Sequence, residues 1–454
     1  MENRKRTLVS LFAGAGGLDI GLEQAGFRTI LANEIEPHGC ETLRQNKLLG
    51  KMSKIEYKPW LKLQLQQRCY GQSGDEIAKL MEERLLPGVG NGQFLGEALI
   101  IEKDVRLLTN NDIFELTNTK TGQIDLVAGG PPCQPFSRAG KRESVNTDDG
   151  KLFKEFVRIV NGIRPKWFLF ENVKGLTLTK TPIAKIECNT CKRSYQLSFS
   201  DWEEIQTNNV EKYNCTKCNS LCPIIWVNKS GGSLDIIVHE FEKIGYRCSY
   251  KILNAADFGA GQIRERLFIV GSRDGESFEW PRSSHSKPAV YQDATPLFDI
   301  DSSASWLSIR EVLWPYGHWR YGKLPPEAVL WVKNVVRPHD EPVTWSLDRP
   351  SPTIGAHQGA KLCIAPYGVP EEQLSRQQWH TKGRRQGDTP PVFVEHEYLN
   401  DHELLKLQTF PEFWYLYGTR MQRAFQVGNA VPPVLARAVG ESIMYAIENS
   451  RATA

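Results

Sequence analysis

Short apolar runs alternate with amphipathic segments through the first 272 residues of the chain, which is typical of strands alternating with helices. Residues 7–13 and 124–130 are apolar runs that end in glycines, as buried strands often do. The pattern predicts further strands at 28–37, 98–105, 166–173, 250–259 and 265–272, and helices at 17–27, 38–46, 152–165 and 234–246. This alternation predicts an α/β fold with a doubly wound, parallel sheet.

Three segments depart from this alternation. Residues 51–97 are rich in Lys, Gln and Glu and predict an inserted, mainly helical piece whose role the sequence does not indicate. Residues 181–229 carry two pairs of cysteines. Residues 273–400 are rich in Pro, Trp and His, have little periodicity, and predict a second domain.

Composition excludes some classes of protein. The chain has 454 residues, of which 40% are hydrophobic and 24% charged, so it is not a wholly disordered chain. It has no run of about eighteen apolar residues, so we expect no membrane span. The basic and then apolar start resembles a signal peptide, but it soon runs into glycines and Asp19, and we interpret it as the first strand. A net charge of +3 is too small to indicate nucleic-acid binding by itself.

The first strand leads into a glycine-rich turn, Phe12-Ala-Gly14-Ala-Gly16-Gly17, and then into a helix. Glycines let a ligand approach the backbone, and a helix N-terminus offers unpaired N–H groups. Glu34 ends the second strand, where it can bind ribose hydroxyls, and Asp104 ends the third, where it can accept a hydrogen bond from an adenine amino group. The alternative is a tight turn with two solvated acids; together the three features favour an adenosine-containing ligand.

A second group of candidate residues follows two other strands. Cys133 stands after the fourth strand among rigid prolines, which suits a displayed nucleophilic thiolate, although a single cysteine is more often a small buried residue. Glu171 directly follows KWFLF, the apolar run at 166–170, and in a parallel sheet it would share an edge with Cys133. The segment from Gln262 to Arg266 adds cationic donors before the last strand.

The motifs FAGAGG, NE, GGPPCQPFS, ENV, QIRER and GNAVPP occur in this order, and together they resemble the cytosine-5 DNA methyltransferases. The resemblance covers more than half of the chain. It implies a Rossmann-like methyltransferase sheet with a smaller target-recognition domain. The implied catalytic domain spans 1–272 and is completed by 426–454, while 273–425 would form the recognition domain and its return hinge.

The resemblance also implies roles for single residues. Cys133 matches the nucleophile, Glu171 the acid of Glu-Asn-Val, and Arg264 the arginine that steadies the target base. A mobile active-site loop is implied at 137–150. The positions implied to surround S-adenosylmethionine are Phe12, Gly14, Gly16, Gly17, Glu34, Ile35, Asp104, Val105, Pro131, Leu152, Asn429 and Ala430.

The implied reaction moves a methyl group from S-adenosylmethionine to carbon 5 of a flipped-out cytosine in duplex DNA, through a covalent adduct of Cys133 at carbon 6. We expect a modification enzyme that acts as a monomer on DNA, in the cytoplasm at the nucleoid, with a cognate restriction endonuclease as partner. One rival is an RNA cytosine-5 methyltransferase, although the tRNA-directed branch carries a Cys-Phe-Thr tripeptide that this sequence lacks. The other rival is a decayed, DNA-binding relative, which intact Cys133, Glu171 and Arg264 disfavour.

The cysteines at 181–229 form two CxxC pairs, Cys188/Cys191 and Cys215/Cys218. Two such knuckles can give four thiolates to a tetrahedral, structural zinc. Cys222 could replace one member of the second pair, and four reduced surface thiols are the plainer alternative. Nearby lysines suggest that this insert grips DNA or braces the second domain.

Overall fold

The structure is a computed structural model. It describes residues 5–53, 55–56, 59, 94–132, 152–197, 205, 208, 210–288, 304–313, 328–332, 343–356, 362–366, 397–411 and 414–452. Cys133, the loop at 137–150 and most of the insert at 51–97 lie outside these ranges.

The chain has a mixed α/β fold with a parallel-rich central sheet, and it divides into two compact units. The first unit comprises residues 1–107, 253–265 and 278–454, and the second comprises 108–252 and 266–277. The division into domains at 272 and 425 stays a prediction.

The first unit begins with the predicted strand–helix alternation. Strand β1 (Arg6–Leu11), helix α1 (Gly17–Gln24), strand β2 (Phe27–Glu34), helix α2 (Pro37–Leu49) and strand β3 (Leu99–Glu102) follow one another. The three strands pair in parallel in the order β1-β2-β3. Parallel pairing brings the carboxyl ends of all three strands to one edge, which we name the cofactor edge.

The second unit starts with helix α3 (Asn110–Thr117), strand β4 (Leu126–Gly129), helix α4 (Leu152–Ile163) and strand β5 (Trp167–Val173). Strands β4 and β5 are parallel, with Gly129 opposite Phe170. Both strands are almost fully buried, as their continuous apolar sequences predict. We name the carboxyl ends of β4 and β5 the base edge.

A small antiparallel sheet follows β5. Its strands are β6 (Lys180–Glu187), β7 (Ser194–Gln196), β8 (Lys212–Asn214) and β9 (Leu221–Ser230), in the order β7-β6-β9-β8. We name residues 180–230 the cysteine arm. The N–H of Gly231 donates to the carbonyl of Thr179 at 3.0 Å, so the two ends of the arm meet.

Helix α5 (Gly232–Lys243) and strands β10 (Arg247–Asn254) and β11 (Glu265–Ser272) come next, giving the order β10-β11-β5-β4 in this unit. Strand β11 runs antiparallel to β5, so the sheet is rich in parallel pairs, as predicted, but contains an antiparallel pair that the prediction did not include. The apolar run at 265–272 predicts a buried strand but carries no information about strand direction.

The described residues of the rest of the first unit include two small sheets, a helical segment at 309–313 and three further helices. Strands β12 (His285–Ser286) and β13 (Ala304–Ser305) pair in parallel, and a four-stranded sheet has the order β15-β14-β16-β17. Its strands are β14 (Ala328–Val332), β15 (Val343–Ser346), β16 (Leu362–Pro366) and β17 (Glu397–Tyr398), and the helices are α6 (Asp401–Leu407), α7 (Arg420–Asn429) and α8 (Pro433–Ala452).

Helix α8 packs tightly on α1 in the first unit. A Cβ on Gly17 would overlap the carbonyl oxygen of Val431, and one on Gly21 would overlap that of Pro433. Glycine at both positions therefore allows the C-terminal segment to lie directly against the helix that follows the glycine-rich turn. In the described ranges no helix has the length and apolar character needed to cross a membrane.

Candidate active site

The turn after β1 leaves open space for a ligand. Phe12, Gly14 and Gly16 have φ angles of 55°, 56° and 82°, and the N–H of Gly16 donates to the carbonyl of Ala13 at 2.9 Å. A Cβ built on Gly14 meets no atom within 4 Å. The positive φ angles produce a tight turn, and the space beside Gly14 is unoccupied by other atoms. A ligand that approaches the backbone closely requires such a space.

Glu34, at the end of β2, is held by the backbone around it. Its Oε2 accepts the N–H of Gly14 at 2.6 Å, and its Oε1 accepts the N–H groups of Ile35 and Glu36 at 2.8 and 2.9 Å. The carboxylate is 8% exposed, while the side chain of Ile35 beside it is 52% exposed. This arrangement fixes an acceptor next to the turn and leaves an apolar surface beside it.

Asp104 lies two residues beyond β3, next to Glu34, because the N–H of Lys103 donates to the Glu34 carbonyl at 3.0 Å. Its carboxylate accepts hydrogen bonds from Arg106 Nε at 2.9 Å and from Arg106 Nη2 at 2.6 Å. This side-chain hydrogen bond lowers the pKa of Asp104. The structure thus places an ionised acceptor at the predicted position, where Arg106 is hydrogen-bonded to it.

The other predicted cofactor positions divide between the units. Val105 is buried, Asn429 is exposed at the end of α7, and Ala430 lies against Gly17. These belong to the first unit with the turn, whereas Pro131 (buried) and Leu152 (half-buried, at the start of α4) belong to the second.

A buried acid near the turn was missed by the sequence analysis. Asp19, in the first turn of α1, is 0% exposed, and neither of its carboxyl oxygens has a hydrogen-bond partner among the described residues. Burial raises its pKa to about 7. The only sequence signal was an acid at a position where the helix faces the core.

At the base edge, Glu171 lies beside the segment that leads to Cys133. A Cβ on Gly130 would be 2.5 Å from Oε2 of Glu171, and Asn172 Nδ2 donates to the Pro131 carbonyl at 3.3 Å. Glu171 is 8% exposed. Glycine at 130 therefore makes room for this carboxyl group next to the chain that continues into Cys133, itself outside the described residues.

Arg266 is the arginine seen in an ion pair with Glu171. Its Nε lies 2.9 Å from Glu171 Oε1, and both side chains are 10% exposed. The antiparallel direction of β11 explains the contact, because it brings the first residues of β11 level with the last residues of β5. In a parallel β11 the same arginine would lie at the opposite edge. The sequence predicts cationic donors in this segment, but it assigns the contact with the target base to Arg264.

Arg264 has different partners. It is 0% exposed, and its Nη1 and Nη2 donate to the carbonyls of Ile354 at 2.9 Å and Gly428 at 2.6 Å. Its guanidinium therefore ties together two distant segments of the first unit. A contact between Arg264 and the target base stays a prediction.

The four predicted zinc ligands lie together. The Sγ atoms of Cys188, Cys191, Cys215 and Cys218 are all within 4.8 Å of one another. Two pairs are 3.4 and 3.7 Å apart. Bonds of about 2.3 Å in a tetrahedral zinc site put sulfurs about 3.8 Å apart, so this spacing fits the metal. Cys222 is buried outside this group and donates to the Ser220 carbonyl at 3.3 Å.

The two knuckles repeat the same backbone geometry. The N–H of Cys188 donates to the carbonyl five residues on at 2.8 Å, and Cys215 does the same at 2.9 Å. Lys192 and Asn219, the fourth residue after each, share a φ of 57°. An N–H from the second cysteine of each pair lowers the pKa of the first, to about 6 at Cys188. Each loop thus stabilises the thiolate of its first cysteine, the form that binds metal, whereas the pKa of Cys191 is raised to about 11 by burial and by hydrogen bonds with its neighbouring thiols.

Comparison with known proteins identifies the family. The C-5 cytosine-specific DNA methylase family matches residues 6–64, 100–194 and 225–445. The type II methyltransferase M1.HphI of Haemophilus parahaemolyticus is 25% identical over 96% of this chain and 86% of its own. M.AquIA of Picosynechococcus sp. is 31% identical over 62% and 77%. A DNMT2 crystal structure from Spodoptera frugiperda shares the fold, with a TM-score of 0.50 and 13% identity over 97% of this chain and 99% of that one. The chain therefore belongs to the family of C-5 cytosine-specific DNA methylases.

Proposed function

We propose that the protein transfers a methyl group from S-adenosylmethionine to carbon 5 of a flipped-out cytosine within one short duplex DNA sequence. The observation that carries this proposal is the buried Arg266–Glu171 ion pair beside Gly130. It puts a fixed carboxyl group next to the segment that continues into the Cys133 motif, where this chemistry needs an acid and a nucleophile together.

The chemistry explains why both residue types are needed. Carbon 5 of cytosine is a poor nucleophile, and addition of the Cys133 thiolate to carbon 6 makes carbon 5 enamine-like. Glu171 bonds to the N3 and N4 edge of the base and shares a proton with N3, which promotes that addition. Carbon 5 then takes the methyl group as its bond to the donor sulfur breaks and S-adenosylhomocysteine leaves. Loss of the carbon 5 proton to a base and expulsion of the thiolate restore the aromatic ring. The cytosine must leave the duplex stack for this to happen.

The cofactor edge fits an adenosine-containing methyl donor. When bound, S-adenosylmethionine supplies an electrophilic methyl group. Glu34 accepts hydrogen bonds from the ribose hydroxyls. The exposed side chain of Ile35 packs against the adenine ring, and Asp104 accepts a hydrogen bond from the adenine amino group. The clear side of Gly14 supports this proposal, because a larger residue there would occupy the space that the donor needs.

We further propose that the cysteine arm holds one structural zinc through Cys188, Cys191, Cys215 and Cys218. The repeated knuckle geometry and the fit of the sulfur spacing support it. Four sulfur ligands leave no open position, so the metal would stabilise the arm and take no part in catalysis. Purified protein should hold about one zinc per chain by elemental analysis, and a Cys188→Ser/Cys215→Ser variant should hold none.

The matched relatives carry the names of type II methyltransferases. We therefore propose that the protein is the modification enzyme of a restriction–modification system, and that an endonuclease cutting the same site is its partner.

Base-resolution mapping of 5-methylcytosine tests the main proposal. The protein would be expressed in a host without cytosine methylation, with Cys133→Ser as the matched control. We expect methylation at one short motif, which is lost in the variant. Unmethylated DNA from a folded, cofactor-binding protein would contradict the proposal, and methylated RNA in the same cells would favour the RNA enzyme instead.

A further inference from the structure

The base of the cysteine arm lies close in the chain to the base edge. After Glu171 and the end of β5, the chain makes one 3-10 helix, Lys174–Leu178, and enters β6 at Lys180. Strand β9 returns at Ser230, opposite Lys180. The arm therefore begins nine residues after Glu171, whose carboxyl group we assign to the target cytosine, and it ends opposite its own first residue.

In the part of the arm that the structure describes, the first rows form a two-stranded ribbon of β6 and β9. Strand β7 pairs with β6 only at 185–187, and β8 pairs with β9 only at 221–223. Among the described residues, the two strands pair only with each other from Lys180/Ser230 to Ile183/Val227, while the Ala184 carbonyl also accepts the N–H of Leu197 at 2.9 Å. We name residues 180–184 and 226–230 the root ribbon. It extends over about 17 Å at roughly 3.4 Å per residue.

The outer strand of the root ribbon is exposed on both faces. Residues 225–230 of β9 are all exposed, although successive side chains point to opposite sides of the ribbon. Trp226 is 44% exposed on one side, and Val227 is 36% exposed on the other. On the inner strand, Ile183 and Ala184 are buried. The apolar atoms thus form no single flat patch of the kind that a protein partner covers.

The charge of the arm complements a polyanion. Residues 180–230 include seven basic and five acidic residues, so the arm has a net charge of +2. Lys180 and Lys229 are exposed at the root ribbon. Lys229 pairs with Asp235 at 2.7 Å, but both groups are nearly half exposed, so a phosphate can replace this partner at little cost.

We propose that the root ribbon binds duplex DNA beside the target cytosine, with Lys180 and Lys229 on phosphates and Trp226 in the groove. A two-stranded ribbon fits a major groove about 12 Å wide. Strand β9 is the one that can face the groove, because its residues are exposed, whereas β6 holds the buried Ile183 and Ala184 and contacts helix α5. This inference rests on the proposed DNA substrate and names a further contact surface for it.

Salt-dependent binding to a 30-bp duplex of mixed sequence, followed by fluorescence anisotropy, tests the inference. Lys180→Ala/Lys229→Ala should bind roughly tenfold more weakly, and the slope of log K against log salt should fall by about 2, because two phosphate contacts are lost. Trp226→Ala should bind at least about fivefold more weakly with an unchanged slope, because its contact releases no counterion.

Lys120→Ala/Lys243→Ala is the matched control. Both lysines are exposed in the same unit, before the amino ends of β4 and β10, and the variant loses the same charge. It should bind like the wild type. All variants should keep the wild-type melting temperature and affinity for S-adenosylhomocysteine.

Unchanged affinity and slope in both ribbon variants, with a wild type that binds and methylates DNA, would overturn the inference and leave the proposed function intact. Equal losses in the control would overturn it too, since they would indicate diffuse electrostatics. If only self-association of the protein were lost in Trp226→Ala, the ribbon would be a protein-docking surface. A wild type that neither binds nor methylates duplex DNA would instead contradict the proposed function itself.

Discussion

The cofactor edge and the base edge each hold a buried glutamate at the end of a strand, but in different ways. Glu34 accepts hydrogen bonds from three backbone N–H groups, those of Gly14, Ile35 and Glu36. Glu171 is held by a guanidinium from another strand. Backbone donors fix an acceptor whose position depends only on the local turn. A side-chain partner makes the position of Glu171 depend on strand direction, and so on the whole sheet.

The largest effect should come from Glu171→Gln. The amide keeps the size of the side chain but cannot share a proton with N3, so methylation should slow by about 10²–10⁴-fold. Single-turnover transfer of a labelled methyl group to DNA measures this, and calorimetry should show unchanged S-adenosylhomocysteine binding. A variant that also loses cofactor binding would mean that the two edges are not functionally separate.

Substitutions of Arg264 and Arg266, the two arginines of the QIRER motif, should differ in their effects on stability and on the methylation rate. Arg264→Met leaves the carbonyls of Ile354 and Gly428 without this donor, so unfolding should become easier by about 2–5 kcal/mol. Arg266→Met should lose less stability and more activity, because its partner is Glu171. Denaturant unfolding and initial rates at saturating cofactor measure the two effects. Equal stability losses with equal rates would contradict this division.

Asp19 is the exception at the cofactor edge, since it is a buried acid without a hydrogen-bond partner among the described residues. Its pKa is raised from 3.8 to about 7, so the folded state holds an extra proton between these pH values. The stability contributed by Asp19 should therefore fall as pH rises from about 4 to about 7 and then level off. Asp19→Asn should remove this fall, a relative gain of about 2–4 kcal/mol at pH 8 over pH 4.

Urea unfolding at pH 4, 6 and 8 measures this difference. Asn46→Asp is the control substitution. Asn46 is buried, and its amide donates to the carbonyls of Thr42 and Tyr415. An acid at this position should add a pH-dependent loss of stability that the uncharged amide of the wild type does not cause. Parallel pH profiles for the wild type and Asp19→Asn would show that Asp19 stays ionised in the folded protein.

Glu34→Gln should have the smallest effect. The amide keeps one acceptor oxygen, so S-adenosylhomocysteine should bind roughly tenfold more weakly, while the rate at saturating cofactor should stay near that of the wild type. Calorimetry and a cofactor titration of the rate measure this. A loss of rate at saturation as large as that of Glu171→Gln would remove the contrast between the two edges.

The cofactor edge could be predicted well from sequence because its interactions are local. The order β1-α1-β2, the glycine turn and Glu34 at a strand end all follow from apolar runs and glycines within one stretch of chain. The spacing of the cysteines likewise predicted the group of four sulfurs.

The base edge could be predicted less well because it depends on how distant strands pair. Nothing in the run at 265–272 indicates that β11 is antiparallel, and that direction decides which arginine meets Glu171. The buried state of Asp19 also depends on packing that periodicity does not describe. The sequence pattern of the cysteine arm did not indicate its four-stranded antiparallel sheet.

The meeting of Thr179 and Gly231 through one hydrogen bond has a consequence for how this enzyme could change over evolutionary time. Two chain ends that lie so close can be joined by a short turn, so the whole arm can be gained or lost without moving β5 or α5. The arm is then a transplantable module: a relative could acquire its DNA contacts by a single insertion, and an engineer could graft it onto another methylase at the same junction.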